Sequence, residues 1–355
     1  MDRKYAKLFA GAATVALAAT SFGTAALADS HGDGYTIGVS NTVQGNGWRE
    51  EMICSIKAQA AASGEVASLN IAHRNTDPAG QLEDMRNLIA AGVDAIIINP
   101  SDGDALTPAI QEATGQGIPI IAVDATVNEP TAYILSNNQE EYARLGAEWL
   151  FEKLGGSGEV FYMRGLAGHS ADDARDVGFQ AALANYPDIN IVNEVHTGWS
   201  QDQGSAQMLD MIASGIPVDG VWTSGIDNVI VDAYVDSGEP LVPIVGADNS
   251  QFVQYLGSVE GFEGAAVTNP GTVGGAGVTL ALQILNGELP PTPESAETQM
   301  VTVDPVLWDN TTDEGQALIA GAARDDLHPT WPVGLQIPGW TTYTDDAIIA
   351  CEDVG

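Results

Sequence analysis

The chain has 355 residues, 12 basic against 48 acidic, and a formal net charge of −36. That length can bury more than one core and suggests two domains. The charge repels nucleic acid and anionic membrane surfaces and argues against polyanionic substrates.

The first 28 residues carry the pattern of a secretory leader. Arg3, Lys4 and Lys7 make a positive start, 8–22 is an apolar run, and Ala26-Leu27-Ala28 is a small-residue cleavage pattern. The run is short for a membrane anchor, and no Cys follows it to accept a lipid. A chain that begins after residue 28 keeps 9 basic and 47 acidic residues, a net charge of −38. Such a chain is expected to be soluble and exported.

From Tyr35 onward, strand and helix signals alternate. A strand is predicted over 36–40, a helix over 48–62, a strand over 66–72 and a helix over 80–91 that Gly92 stops. On a helical wheel of the first helix, Trp48, Met52, Ile53, Ile56 and Ala60 share one arc. Cys54 falls beside Glu50 and Lys57 on the polar side. In an oxidising compartment this leaves two readings for Cys54 and Cys351: a disulfide closed by a tail crossing that face, or two unpaired thiols.

The run Ala95-Ile96-Ile97-Ile98-Asn99 reads as a strand buried on both faces that ends in one amide, with Pro100 blocking its continuation. The same pattern recurs where 118–123 ends in Asp124, 242–247 in Asp248 and 264–268 in Asn269. Open α/β sheets bind ligands at such carboxyl ends. A second set of strands is predicted at 160–163, 191–195, 220–222, 242–245 and 264–267. Helices lie near 173–185, 204–214, 226–236, 250–257 and 272–286. This predicts two doubly wound α/β lobes with parallel sheets and right-handed crossovers. Residues 289–293, rich in proline, form a stiff connector. The last fifty residues hold Trp308, Trp331, Trp340 and Tyr343 at irregular spacing, which predicts an ordered but irregular tail wrapped on the body.

The segments "IIINPSDGDAL" (96–106), "IPIIAVD" (118–124), "RGLAGHSADDARDVGFQAAL" (164–183) and "VPIVGAD" (242–248) together resemble the ribose-binding family. That family comprises periplasmic sugar-binding proteins of ABC importers. The resemblance covers most of 35–300 and leaves the tail beyond about 303 unaccounted for. It implies a type I periplasmic binding fold with three crossings between lobes. The implied parts are a first lobe of 35–137 plus 269–297, a second of 138–268 plus 298–304, and a tail of 305–355. The implied partners are a neutral sugar or polyol and an inner-membrane permease, with the protein a monomer that needs no cofactor and performs no catalysis.

Carried over position by position, Asn99 and Asp124 match polar ligand contacts of the first lobe. Arg175 matches a guanidinium that clamps sugar hydroxyls, and Trp199 an aromatic that covers a sugar face. Asp248 and Asn269 match acceptor and amide positions of the second lobe and hinge. Trp48 matches the aromatic after the first strand. "TSGIDN" (223–228) replaces an Asn-Asp step of the family, which leaves Gly225, Asp227 and Asn228 as alternatives for one contact, with Asp227 the choice made. "VQGNGW" (43–48) lacks a second aromatic and Ala125 stands where ribose binders carry arginine, so a different pentose, hexose, furanose or sugar alcohol fits as well as ribose. The chemistry agrees with the resemblance, because carboxylates, amides and guanidinium groups satisfy hydroxyls in pairs and Trp faces suit C–H surfaces.

Blander readings exist for each residue. An Asp or Asn after a strand is often a turn or cap residue, a lone Trp is often core, and Arg175 could pair with Asp172 or Asp176. His73 and His169 read as loop histidines, and Asn137 and Asn138 as residues of the first crossing. An enzyme reading would use Asp124 and Asp248 as a carboxylate pair, but the sequence has no G-x-S-x-G, H-E-x-x-H or P-loop pattern. "GGAG" (274–277) lacks dinucleotide spacing. A sensor that reports occupancy to a signalling partner shares the same fold. So does a repressor, but here a leader stands in place of a DNA-binding headpiece.

Overall fold

The computed structural model describes residues 34–354, so the leader predicted over 1–28 lies outside the described residues. The first lobe begins with β1 (Tyr35–Asn41), α1 (Gly47–Ser63), β2 (Val66–His73), α2 (Pro78–Ala91), β3 (Ala95–Asn99), α3 (Thr107–Gly115), β4 (Ile120–Val123) and β5 (Tyr133–Asn137). The second lobe follows with α4 (Gln139–Lys153), β6 (Ser157–Arg164), α5 (Ser170–Leu183), β7 (Asp188–His196) and α6 (Gln201–Ser214). It continues through β8 (Gly220–Trp222), α7 (Asp227–Ser237), β9 (Ile244–Ala247), α8 (Ser250–Ser258) and β10 (Gly264–Val267). The chain then returns to the first lobe through α9 (Val273–Leu285), α10 (Ala296–Gln299) and β11 (Met300–Val303). It ends with β12 (Leu307–Asp309), α11 (Asp313–Ala322) and α12 (Asp345–Ala350).

Each lobe is built on a six-stranded sheet, in the orders β11-β5-β4-β3-β1-β2 and β12-β10-β9-β8-β6-β7. Every pairing is parallel except that of β12 with β10. The expected pair of doubly wound lobes is therefore present. β3 shows why its sequence reads as it does: Ala95 and Ile97 pack with α1 and α9 on one face. Ile96 and Ile98 pack with α2 and α3 on the other. All four are fully buried, and each Ile contributes about 1.5–3 kcal/mol by its removal from water.

In the second lobe the core is aromatic. Tyr162 stacks on Phe179 at 3.8 Å, and Trp222 meets both rings edge-on. Tyr142 adds a further edge contact to Trp222 at 6.3 Å. This ladder fixes α4 and α5 against the sheet and carries Tyr142 toward the site.

Two expectations about the C-terminal region need correction. Residues 298–304, assigned from the resemblance to the second lobe, include β11, which pairs in parallel with β5 at the edge of the first sheet. An outward-facing edge strand needs only a short alternating run, which "MVTV" supplies. The tail is irregular for much of its length, but it also contains β12, α11 and α12.

The tail also makes a passage between the lobes beyond the three expected. β12 and α11 pack on the second lobe beside β10 and α8. The chain then crosses to the first lobe. There Thr279 Oγ1 donates to the Trp340 carbonyl at 2.6 Å, and the Thr342 N–H donates to Gln59 Oε1 at 2.8 Å. α12 lies on α1, and Cys351 is bonded to Cys54 with their Cα atoms 4.7 Å apart. Cys54 is buried although the wheel put it on the polar side, because the tail covers that face.

The disulfide closes a loop spanning 297 positions. Loop-closure entropy then predicts that the Cys54→Ala, Cys351→Ala double variant loses about 2–5 kcal/mol of unfolding free energy. Urea unfolding followed by near-ultraviolet circular dichroism checks this, and an unchanged midpoint would show that the tail's other contacts hold it unaided.

Candidate functional site: a polar cleft between the lobes

The carboxyl ends of both sheets face a cavity of about 40 Å³. From the first lobe it is lined by Asn46, Trp48 and Arg49 in the first turn of α1 and by Asp124 after β4. The second lobe supplies Arg175 of α5, Trp199 before α6, Ser224 and Gly225 after β8, and Ala247 and Asn249 around the end of β9. Asn269, between the lobes, completes these walls, together with Thr330 and Pro332 of the tail.

Backbone strain marks the same place. Among the described residues only Asp124 (φ 67°), Trp199 (φ 53°) and Cys351 (φ 51°) are non-glycine residues with left-handed backbone. Such conformations cost of order 1–3 kcal/mol and persist where the surroundings impose them. Two of the three line the cavity, and the third carries the disulfide. Trp199 is further set by Gly165, where a Cβ would fall 2.2 Å from the indole ring.

Arg49 is a central residue that sequence reasoning missed, along with Gln139 and Asn249. It is buried, and its Nη1 donates to Asn41 Oδ1 at 2.8 Å and to Asn99 Oδ1. Burial lowers its pKa to about 10, against the pull of Asp124, so it stays charged at neutral pH. Asn99 therefore stands behind the guanidinium rather than on the cavity wall, with its Nδ2 donating to the Val123 carbonyl at 3.1 Å. A signal was present: a basic residue in a helix's first turn opposes the macrodipole. In a chain this short of basic residues, that placement needs a local reason.

Arg175 is buried against aromatic faces, with its guanidinium carbon 4.5 Å from the Tyr142 ring centre and 5.7 Å from that of Trp199. Its Nε donates to Gln139 Oε1 at 2.7 Å, and Gln139 Nε2 donates to Asp124 Oδ1 at the same distance. Asn137 Nδ2 adds a bond to Asp124 Oδ1 at 3.2 Å. Burial raises the Asp124 pKa, while Arg49 and Arg175 oppose that shift.

Asp248 and Asp227 sit one layer behind the wall. The Asn269 N–H donates to Asp248 Oδ1 at 2.9 Å, and Asp248 Oδ2 has no partner among the described residues. The Asn269 carbonyl in turn accepts from Trp48 Nε1 at 2.7 Å. Asp227 Oδ2 accepts from Asn249 Nδ2 at 2.6 Å and from the Gly225 N–H at 3.1 Å. Of the three alternatives Gly225, Asp227 and Asn228, it is Gly225 that reaches the wall, joined by Ser224. Burial pushes Asp248 up to about 6 and Asp227 up to about 7. Fully buried Glu51 on α1 is raised well above its ordinary value, first by burial and then by Asp248.

The lobes also touch across the cleft. Asn46 Nδ2 donates to the Trp199 carbonyl at 3.1 Å, and Ser170 Oγ donates to the Thr126 carbonyl at 3.3 Å. His169, read from sequence as a loop histidine, is buried and caps α5. Its Nδ1 faces the Ala171 N–H at 3.2 Å, and its Nε2 faces Arg49 Nη2 at 3.1 Å. Burial and the two guanidinium groups hold its pKa well below the usual value, so the ring is neutral. Either tautomer leaves one of those N–H donors unaccepted.

Two parallel-sheet lobes whose strand ends converge on one cavity lined by polar and aromatic side chains define a two-lobed solute-binding protein. The chain belongs to the periplasmic binding protein domain family, whose model matches residues 37–289, and the resemblance to ribose binders is borne out. It is 30% identical over 247 residues to the xylitol-binding protein of Mycolicibacterium smegmatis, covering 67% of this chain and 68% of that one. The ribose import binding protein of Escherichia coli is 26% identical over 225 residues, covering 62% and 75% of the two chains. An ABC transporter solute binding protein from Thermobispora bispora matches in structure with a TM-score of 0.73 at 25% identity, covering 84% of this chain and 91% of that one. No helix of the described residues is long and apolar enough to cross a membrane.

The raised carboxyls make stability depend on pH with a definite sign. An acid whose folded pKa lies above its unfolded value binds more protons in the folded state between the two values. Stability from Asp227 and Asp248 is therefore lost as pH rises from about 4 through about 7. In urea unfolding, the ligand-free protein should lose more stability between pH 4.5 and 7.5 than Asp248→Asn does, since the amide cannot ionise. Equal losses would show that Asp248 does not titrate in this window.

Proposed function

We propose that the protein captures a compact neutral sugar or sugar alcohol in the cleft and delivers it to the membrane permease of an ABC importer. On this reading it works in the periplasm as a monomer after removal of residues 1–28.

The observation that carries the reading is the balance of charge on the cavity wall. Two guanidinium groups, Arg49 and Arg175, act on the Asp124 carboxylate, with Asp248 and Asp227 one layer back. The site therefore has no large charge of its own to offer an ion. Among the described residues, Trp199 Nε1 and Ser224 Oγ, both on residues of the wall, are buried without partners. A polyol suits a wall of indole, hydroxyl, amide and guanidinium groups, because each hydroxyl donates once and accepts twice. Leaving one buried polar atom unpaired costs about 1–3 kcal/mol, which is how such a wall discriminates between hydroxyl patterns. Trp48 and Trp199 supply apolar faces for the C–H surfaces. The names of the relatives, which bind xylitol and ribose, support the same ligand class.

Thermal shift with xylitol, D-ribose, D-apiose, L-arabinose and myo-inositol tests the proposal. At one hundred times its Kd, a true ligand adds about 2.7 kcal/mol to folding. Stabilisation by another compound class, with none by any polyol, would overturn the reading. Trp199→Ala should weaken binding of the stabilising polyol by about 1–3 kcal/mol in calorimetry, and unchanged affinity would place that ring outside the contact.

A further inference from the structure

The C-terminal tail lies outside the segment matched by the family model, yet it lines the cavity through Thr330 and Pro332. Its seat there is built from both lobes. On the second lobe the first turn of α8 has N–H groups with no helical partner. The Ser250 N–H donates to the Trp331 carbonyl at 2.7 Å, and the Gln251 N–H donates to the Pro329 carbonyl at 2.9 Å. The Val333 N–H donates back to the Asp248 carbonyl at 3.0 Å, and Pro332 bridges Asn249 in antiparallel fashion. On the first lobe Thr330 presses on the start of α1, so closely that a Cβ at Gly47 would fall 2.0 Å from Thr330 Oγ1. Thr272 Oγ1 then holds the Gly334 carbonyl at 3.1 Å beside the hinge.

We propose that Thr330 and Pro332 form a third wall of the ligand site and set its size limit. The tail fills the gap between the amino ends of α1 and α8, so a ligand that extends in that direction meets a backbone fixed on both lobes. Selection for a compact polyol then depends on a segment that neither lobe contains. This statement of ligand class rests on the polyol reading above, whereas the wall itself does not.

A thiol placed in the cavity tests the wall without any ligand. Both cysteines of the chain are in the disulfide, so Ser224→Cys adds a single free thiol to the cavity wall. Its reaction rates are measured with methyl methanethiosulfonate and with a bulky biotinylated methanethiosulfonate. Adding Thr330→Ala and Pro332→Ala should raise the bulky-to-small rate ratio about tenfold, equivalent to about 1.4 kcal/mol of barrier. Adding Thr330→Val alone, which keeps the volume, should leave the ratio at its Ser224→Cys value. An unchanged ratio in the alanine variant, or an equal rise with valine, would overturn the size limit. In parallel, the polyol that stabilises the wild type is compared with its benzyl ether or glycoside. The alanine variant should narrow the preference for the smaller ligand, and an unchanged preference also overturns the proposal. A panel in which no polyol stabilises the wild type overturns the polyol reading alone, and the thiol ratio then decides the wall.

Discussion

The structure depends on burying a guanidinium between two sheets. Arg49 is out of contact with bulk water and survives there because Asn41, Asn99 and nearby Asp124 meet its donors and its charge. Removing one partner of such a group leaves an uncompensated buried charge, which costs several kcal/mol. The strand ends must therefore arrive in register. β1 is hydrogen-bonded to β3 with Asn41 opposite Asn99, and that pairing places both amides on the same guanidinium. The polar end of each strand and the apolar run before it serve one arrangement, in which the run fixes the strand and the end holds the charge.

The second lobe solves the matching problem with aromatic rings. Its Tyr162–Phe179–Trp222 ladder anchors α5 and brings Arg175 between Tyr142 and Trp199. Two guanidinium groups thus enter one cavity from opposite lobes, each held by neutral partners as well as by carboxylates. This explains how a strongly acidic chain can present a balanced internal site. The surface charge is solvated and screened, while the cavity is set by a few buried groups at short range.

The tail adds a constraint of another kind. It docks on α8 of one lobe, passes the hinge and is bonded to α1 of the other. This strap meets the first lobe where Thr330 packs on Gly47 and where the Thr342 N–H donates to Gln59 Oε1.

Much of this was determined by the sequence alone. The run 95–99 reads as a strand buried on both faces, and the recurring polar residue after such runs placed Asp124, Asp248 and Asn269 at carboxyl ends. Patterns of period two and period three to four are local, so they survive without a structure. What the tertiary structure decided was which of those ends reach the cavity. Asn99 is screened by Arg49, and Asp227 and Asp248 stand behind Gly225, Asn249 and Asn269, because depth behind a wall depends on which neighbour is in front. Cys54 lay on a polar arc until a distant tail covered it, and Thr330 had no local feature to mark it. Contacts between segments far apart in the chain are fixed by packing and hydrogen-bond complementarity, and residue spacing does not encode them.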